Sequence, residues 1–124
     1  MPRYDVRVAA LALDVPYRWL DTLLARHDIA GVTSEAQGVR RSLTEESLFV
    51  LTLVRDLHHH LGLPLGRAVD TAHRLQAAGM LELGTLRLQL SPDRMRGDIA
   101  RDLTDALERV VPRRRGRPPR RPTA

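Results

Sequence analysis

Charge divides this chain into a part that can build a core and a part that cannot. All 15 acidic side chains lie before residue 112, and the 13 residues from Pro112 onward hold six arginines and no acid. A segment reading Pro112-Arg113-Arg114-Arg115-Gly116-Arg117-Pro118-Pro119-Arg120-Arg121-Pro122 has no apolar surface to offset the entropy of ordering it. The core must therefore come from the first 111 residues, where fourteen arginines against fifteen acids leave a charge of −1. The tail carries +6, which makes the whole chain +5. A charge excess gathered on one arm is an electrostatic handle for a polyanion. All 20 basic residues are arginine, a bias expected of a GC-rich genome, so the placement of arginines carries the argument and their number does not.

A body of this length closes one modest core. The 43% apolar content of the whole chain includes only four aromatics, Tyr4, Tyr17, Trp19 and Phe49, so leucine, valine and alanine must fill the interior. With no cysteine there is neither a disulfide framework nor a thiolate metal site. No basic-then-apolar segment opens the chain, and no run approaches the ~18 apolar residues that span a bilayer. The expected compartment is the cytoplasm, with nucleoid association if DNA is the partner and with no membrane partner.

The punctuation of the body predicts five helices. Asp5 can cap a first helix with Val6, Ala9, Ala10 and Leu13 at helical spacing, and Asp14-Val15-Pro16 interrupts it. A second helix is expected from about Pro16 to Arg26, burying Leu20, Leu23, Leu24 and part of Trp19, so that two short helices and a tight turn form a helix-turn-helix outline. Residues Gly31 to Leu43 read as a loop or small hairpin. Thr44 then caps a third helix that carries Glu45 and Glu46 in its first turn and stops at Gly62 with Pro64. A fourth runs from about Leu65 to Ala78 and stops at Gly79. Leu86, Leu88 and Leu90 alternate with polar residues as a strand does, with Met80 to Leu83 as a hairpin partner across Gly84. Ser91-Pro92-Asp93 starts a fifth helix with Met95, Ile99, Leu103, Ala106 or Leu107, and Val110 on one stripe, and Pro112 is expected to end it.

Two constellations point to nucleic acid. With its leucines turned inward, the second helix offers Tyr17, Arg18, Asp21 and Thr22, the surface a recognition helix presents to a major groove. There an arginine can grip guanine and a threonine can touch a thymine methyl, while Asp21 either accepts from a cytosine amino group or steers Arg18. In the tail, Arg115-Gly116-Arg117-Pro118 with flanking Arg113, Arg114, Arg120 and Arg121 looks like an AT-hook. A narrow A/T minor groove concentrates negative potential, Arg115 and Arg117 would lie along its floor, and Gly116 lets the backbone approach. A plain basic tail that binds phosphates without discrimination is the other reading of the same residues.

The order helix, tight turn, helix, glycine-bearing loop with paired arginines, then two helices resembles the winged-helix DNA-binding domain of the MerR family over Tyr4 to Ala78. Residues Val6 through Arg26 match its helix-turn-helix, and Gly38-Val39-Arg40-Arg41-Ser42-Leu43-Thr44 matches its wing leading into the third helix. The resemblance implies base contacts from the second helix and phosphate contacts from Arg40 or Arg41. The chain departs from the family in having Arg18-Trp19-Leu20 where a tyrosine pair is usual and Ser42-Leu43 near the wing's end where an aromatic is usual. A strand and one helix of about 18 residues replace the long dimerising coil. Without an effector domain or a metal-sensing cysteine, the resemblance implies a constitutive binder with no small-molecule effector.

His58-His59-His60 does not read as a metal site, because adjacent helical residues diverge by about 100°. Serines 34, 42, 47 and 91 lack a paired histidine and acid, and Asp98, Asp102 and Asp105 read as a solvated helix face. No catalytic residue, cofactor or metal is expected, and the chain is not expected to be an enzyme. The expected division is a winged helix-turn-helix domain at 1–79, a hairpin and amphipathic helix at 80–111, and a disordered basic tail at 112–124, in a mainly α fold. The fifth helix's stripe and the strand before it exceed what a four-helix wing domain needs: either they pack within the monomer, or they self-associate through the strand edge or the helix, and a homodimer on double-stranded DNA is expected. A protein-interaction module, such as an antitoxin or a recombination or partition accessory factor with a non-specific nucleic-acid-binding tail, is the second reading.

Overall fold

The computed structural model describes residues 2–33 and 41–115. Among them, helices α1 (Val6–Leu13), α2 (Tyr17–Arg26), α3 (Glu45–Leu61) and α4 (Leu65–Ala78) precede a hairpin of β1 (Met80–Leu83) and β2 (Leu86–Gln89), and α5 (Pro92–Arg115) follows. The protein is mainly α with one small antiparallel sheet.

Local chemistry sets most of these boundaries. The Asp5 carboxylate accepts from the Val8 N–H at 2.9 Å and caps α1. At the other end Asp14 adopts the left-handed conformation (φ 58°, ψ 50°), and the N–H groups of Asp14 and Val15 close back onto Leu11 and Ala10. Pro16 then opens α2, leaving only Asp14, Val15 and Pro16 between the helices. Thr44 and Ser47 form a reciprocal capping box at the start of α3, with Ser47 fully buried. Gly31, at φ 84°, lies against that box, and a Cβ there would collide with the hydroxyls of Thr44 and Ser47. The loop after α2 is thereby seated on the first turn of α3.

Helix α1 lies at the centre. It packs against α2, α3 and α5, and Val6, Val8, Ala9, Ala10, Ala12 and Leu13 are all buried. The three alanines let neighbouring helices approach closely without a void. Leu20, Leu23, Leu43, Leu48, Val50, Leu51 and Val54 fill the space around them, and α4 completes the layer by packing along α3. Two antiparallel bridges join the segments outside the helices. Tyr4 and Leu43 exchange both backbone hydrogen bonds at 2.8 Å, and Thr33 and Ser42 exchange theirs at 2.9 Å. In the stretch expected to be a loop or small hairpin, the Thr33–Ser42 bridge is the pairing described, and residues 34–40 lie outside the described residues.

One expectation about α5 requires correction. The helix does not stop at Pro112 but continues in backbone conformation to Arg115, making it 24 residues long. Proline at that point deletes one N–H donor, the one that would face the Glu108 carbonyl, and only one further turn follows. The apolar stripe, which the sequence offers either to the monomer core or to self-association, is engaged within the chain. Leu103 and Ala106 are buried against α1, while Met95, Ile99 and Val110 pack on the same core. Of the two residues proposed for one stripe position, Ala106 is buried and Leu107 is 39% exposed, because the close approach to α1 favours the smaller side chain.

The left-handed residue at the α1–α2 turn gives a direct test. Asp14→Val should lower stability by about 1–2 kcal/mol, since a β-branched side chain is poorly tolerated there, whereas Asp14→Gly should leave stability unchanged or raise it. Urea unfolding of the three proteins measures both effects.

Candidate nucleic-acid interface

Helix α2 is buried on one side and open on the other. Leu20, Leu23 and Leu24 face the core, and Tyr17, Arg18, Thr22, Ala25 and Arg26 are exposed, Tyr17 at 52%. Four of the proposed groove-facing residues therefore lie on α2, with Tyr17, Arg18 and Thr22 exposed and Asp21 half-buried. Trp19 is half-buried, and its ring sits 6.3 Å from His59 in a near-parallel stack and 6.4 Å from His58. This aromatic group ties the first turn of α2 to the last turn of α3, where His58 also bonds through Nδ1 to the Leu63 carbonyl at 2.8 Å. Within the run Arg18-Trp19-Leu20, Trp19 anchors the helix while Arg18 stays outside.

Asp21 pairs with Arg41 and not with Arg18, the residue it was expected to steer if it did not meet a cytosine. Its carboxylate accepts from the Arg41 guanidinium at 3.1 Å, across 20 residues of sequence. The side chains are 45% and 30% exposed, so the pair adds no more than about 1 kcal/mol to stability, and its importance is positional. It joins the base of the glycine-bearing loop to the exposed surface of α2. Arg41, expected with Arg40 as a candidate for phosphate, is bonded within the molecule through one of the five N–H donors of its planar fork.

Arg3 belongs to the same neighbourhood and carries no signal in the sequence. Its Nη1 donates to Thr33 Oγ1 at 3.3 Å and to Ser42 Oγ at 3.1 Å, placing a cation on the two hydroxyls of the bridge. Only the juxtaposition of three chain segments brings it there. Burial, with the Glu45 carboxylate nearby, pushes the adjacent Tyr4 phenol above its ordinary range. Arg55 is a second residue without a sequence signal. Its Nη1 donates to the Leu13 carbonyl at 2.7 Å while its Nε bonds Asp56 at 3.0 Å. A cation at the C-terminal carbonyls of α1 is favourable for the helix dipole, and here it also fixes the α1–α2 turn to α3.

The remaining candidates are dispersed. Arg113, Arg114 and Arg115 occupy the last backbone turn of α5, and Arg40, Gly116, Arg117, Pro118, Arg120 and Arg121 lie outside the described residues. His60 sits 4.0 Å from Asp56, whereas His73 accepts from the Ala30 N–H at 3.2 Å on Nε2 and donates from Nδ1 to the Val69 carbonyl. The histidines thus serve separate contacts, and no group of three or more potential metal ligands comes together among the described residues. On the helix face read as solvated, Asp105 is exposed, and the partly exposed Asp98 and Asp102 carboxylates lie 3.2 and 3.6 Å from the exposed Arg101 guanidinium.

Among the described residues no helix is long and apolar enough to cross a membrane. The chain matches no known family model, no curated protein and no solved structure.

Arg55 should therefore matter to the placement of α2. Arg55→Met keeps the aliphatic stem and removes the charged donor, and it should cost about 1.5–3 kcal/mol by leaving the Leu13 carbonyl without its partner. Denaturant unfolding checks the magnitude. A loss below about 0.5 kcal/mol would mean that water replaces the guanidinium freely.

Proposed function

We propose that this chain is a small DNA-binding protein, a transcriptional regulator or architectural factor, with a MerR-like winged helix-turn-helix as its reading module. The observation that carries the reading is the Asp21–Arg41 contact, which sets the base of the loop beside the exposed surface of α2. A recognition helix and a wing act on one duplex only when they share a side of the protein. The order of elements supports the same reading, as do the three-residue turn between α1 and α2 and the inward orientation of the α2 leucines.

In this reading Arg18 and Thr22 contact base edges in the major groove, and Arg3 and Arg41 approach the flanking phosphates. Transfer of Arg41 toward phosphate frees the Asp21 carboxylate, which then needs a donor. A cytosine amino group is the base-edge group that supplies one. The C-terminal arginines add attraction through phosphate neutralisation and, as a hook, through an A/T minor groove. The near-neutral body favours one further reading, in which the helical domain docks another protein and only the tail meets nucleic acid.

Two experiments test the proposal. Gel-shift assays across a duplex library should show Arg18→Ala losing about 1–3 kcal/mol of discrimination at one base pair, with smaller change in non-specific binding. Equal weakening on every sequence would place Arg18 on phosphate. Deleting residues 112–124 should lower affinity and flatten the log–log salt dependence by about 0.9 for each phosphate that the tail no longer neutralises. A sequence-specific shift retained by the tail-less protein supports the reading module, and complete loss supports the protein-docking alternative.

A further inference from the structure

The hairpin after α4 presents an open strand edge whose chemistry fits a second copy of itself. Its register pairs Met80 with Gln89, Leu81 with Leu88, Glu82 with Arg87 and Leu83 with Leu86 around the two-residue turn Gly84-Thr85. Gly84 has φ 61° and Thr85 is not in the positive-φ region, the pattern of a type II′ turn that suits strand twist. In such a hairpin Leu83–Leu86 and Leu81–Leu88 are the hydrogen-bonded pairs, and Leu90 extends the ladder by donating to the Gly79 carbonyl at 3.0 Å. The backbone N–H and C=O groups of Arg87 and Gln89 consequently point away from β1, along the outer edge of β2. Among the described residues β2 pairs only with β1.

The side chains make this edge unusual. Leu81, Leu83, Leu86 and Leu88 share one face. Leu81 and Leu88 pack on the core, but the hairpin extends past it, leaving Leu83 36% and Leu86 64% exposed. On the other face Glu82 and Arg87 neutralise each other at 3.0 Å. The edge therefore lacks the proline, bulge or net charge that ordinarily guards an open strand.

We infer that β2 pairs antiparallel with β2 of a second copy about a two-fold axis at Leu88. This register sets Arg87 opposite Gln89 of the second copy and gives two reciprocal hydrogen-bonded pairs from the groups that point outward. It also sets Leu86 beside Leu90 of the second copy, at the end of that strand which packs on a core, so the exposed tip of each hairpin is covered by the base of the other. A two-fold at Arg87 would oppose two guanidinium groups, and one at Gln89 would carry Leu86 past the neighbouring strand. The edge thus supplies every neighbour it requires, which selects a second copy over an unrelated strand. The self-association stands without the DNA-binding proposal. Only its consequence rests on that reading: two reading faces related by a two-fold suit an inverted repeat.

Sedimentation velocity of the full chain, without DNA, tests the pairing. The wild type should show a concentration-dependent monomer–dimer equilibrium, and Arg87→Pro should raise the dissociation constant by about tenfold or more. Proline at that site removes only an outward-pointing N–H, so circular dichroism should remain that of the wild type. Cysteine variants locate the axis independently, because the chain has no native cysteine. Under mild oxidation Leu88→Cys should form a disulfide-linked dimer, since facing residues of a non-hydrogen-bonded pair lie about 4.5 Å apart at Cα. Leu86→Cys should not, because its counterpart lies far along the strand. A wild type that stays monomeric at every concentration overturns the inference. So does a dimer unaffected by Arg87→Pro, or equal cross-linking of the two cysteine variants.

Discussion

The architecture rests on one packing constraint, the enclosure of α1 by three other helices at once. An eight-residue helix is too short to be stable by its own hydrogen bonds, so its existence depends on what surrounds it. Ala9, Ala10 and Ala12 supply the room, and Asp5, Asp14 and Arg55 satisfy its ends. The placement of α2 follows directly. Three residues link it to α1, its leucines share the same interior, and Trp19 stacks on the histidines that finish α3. The open surface of α2 is what remains once those demands are met.

Where a boundary depends on residues adjacent in sequence, it could be read from the sequence. Thr44, Gly62, Gly79 and the Ser91-Pro92-Asp93 run each state a start or stop through local backbone chemistry, and the structure places the helix ends at those residues. The hairpin was legible for the same reason, since alternation and a glycine turn are local signals. Long-range side-chain pairs were not. Arg41 meets Asp21 across 20 residues, Arg3 meets Ser42 across 39 and Arg55 meets Leu13 across 42, and nothing in the spacing of an arginine records its partner. In a chain whose every basic residue is arginine, composition hides such pairs further.

The fifth helix shows a different limit. Its apolar stripe was visible, but a stripe does not say whether its partner lies in the same chain or in another. Burial decides the matter here in favour of α1, and the apolar surface left exposed lies instead at the hairpin tip. The reading of Pro112 as a stop failed because proline forbids one hydrogen bond and crowds one carbonyl, a cost that a helix near its end can carry.

The Asp21–Arg41 pair illustrates how a weak interaction can still be informative. Both side chains are partly exposed, so solvent screens their attraction and the contact is easily exchanged. A charge-assisted bond from arginine to phosphate is stronger than a neutral one and is frequently bidentate, which makes phosphate an effective competitor for Arg41. The carboxylate left behind lies close to the duplex in the proposed reading, and an acid without a donor there is repelled by the backbone. A sequence that offers an amino group removes that penalty, and a sequence that does not retains it. An acidic residue on a DNA-facing helix therefore lowers affinity in general while raising the contrast between sites, which is the balance required of a reader whose arginine tail already supplies attraction.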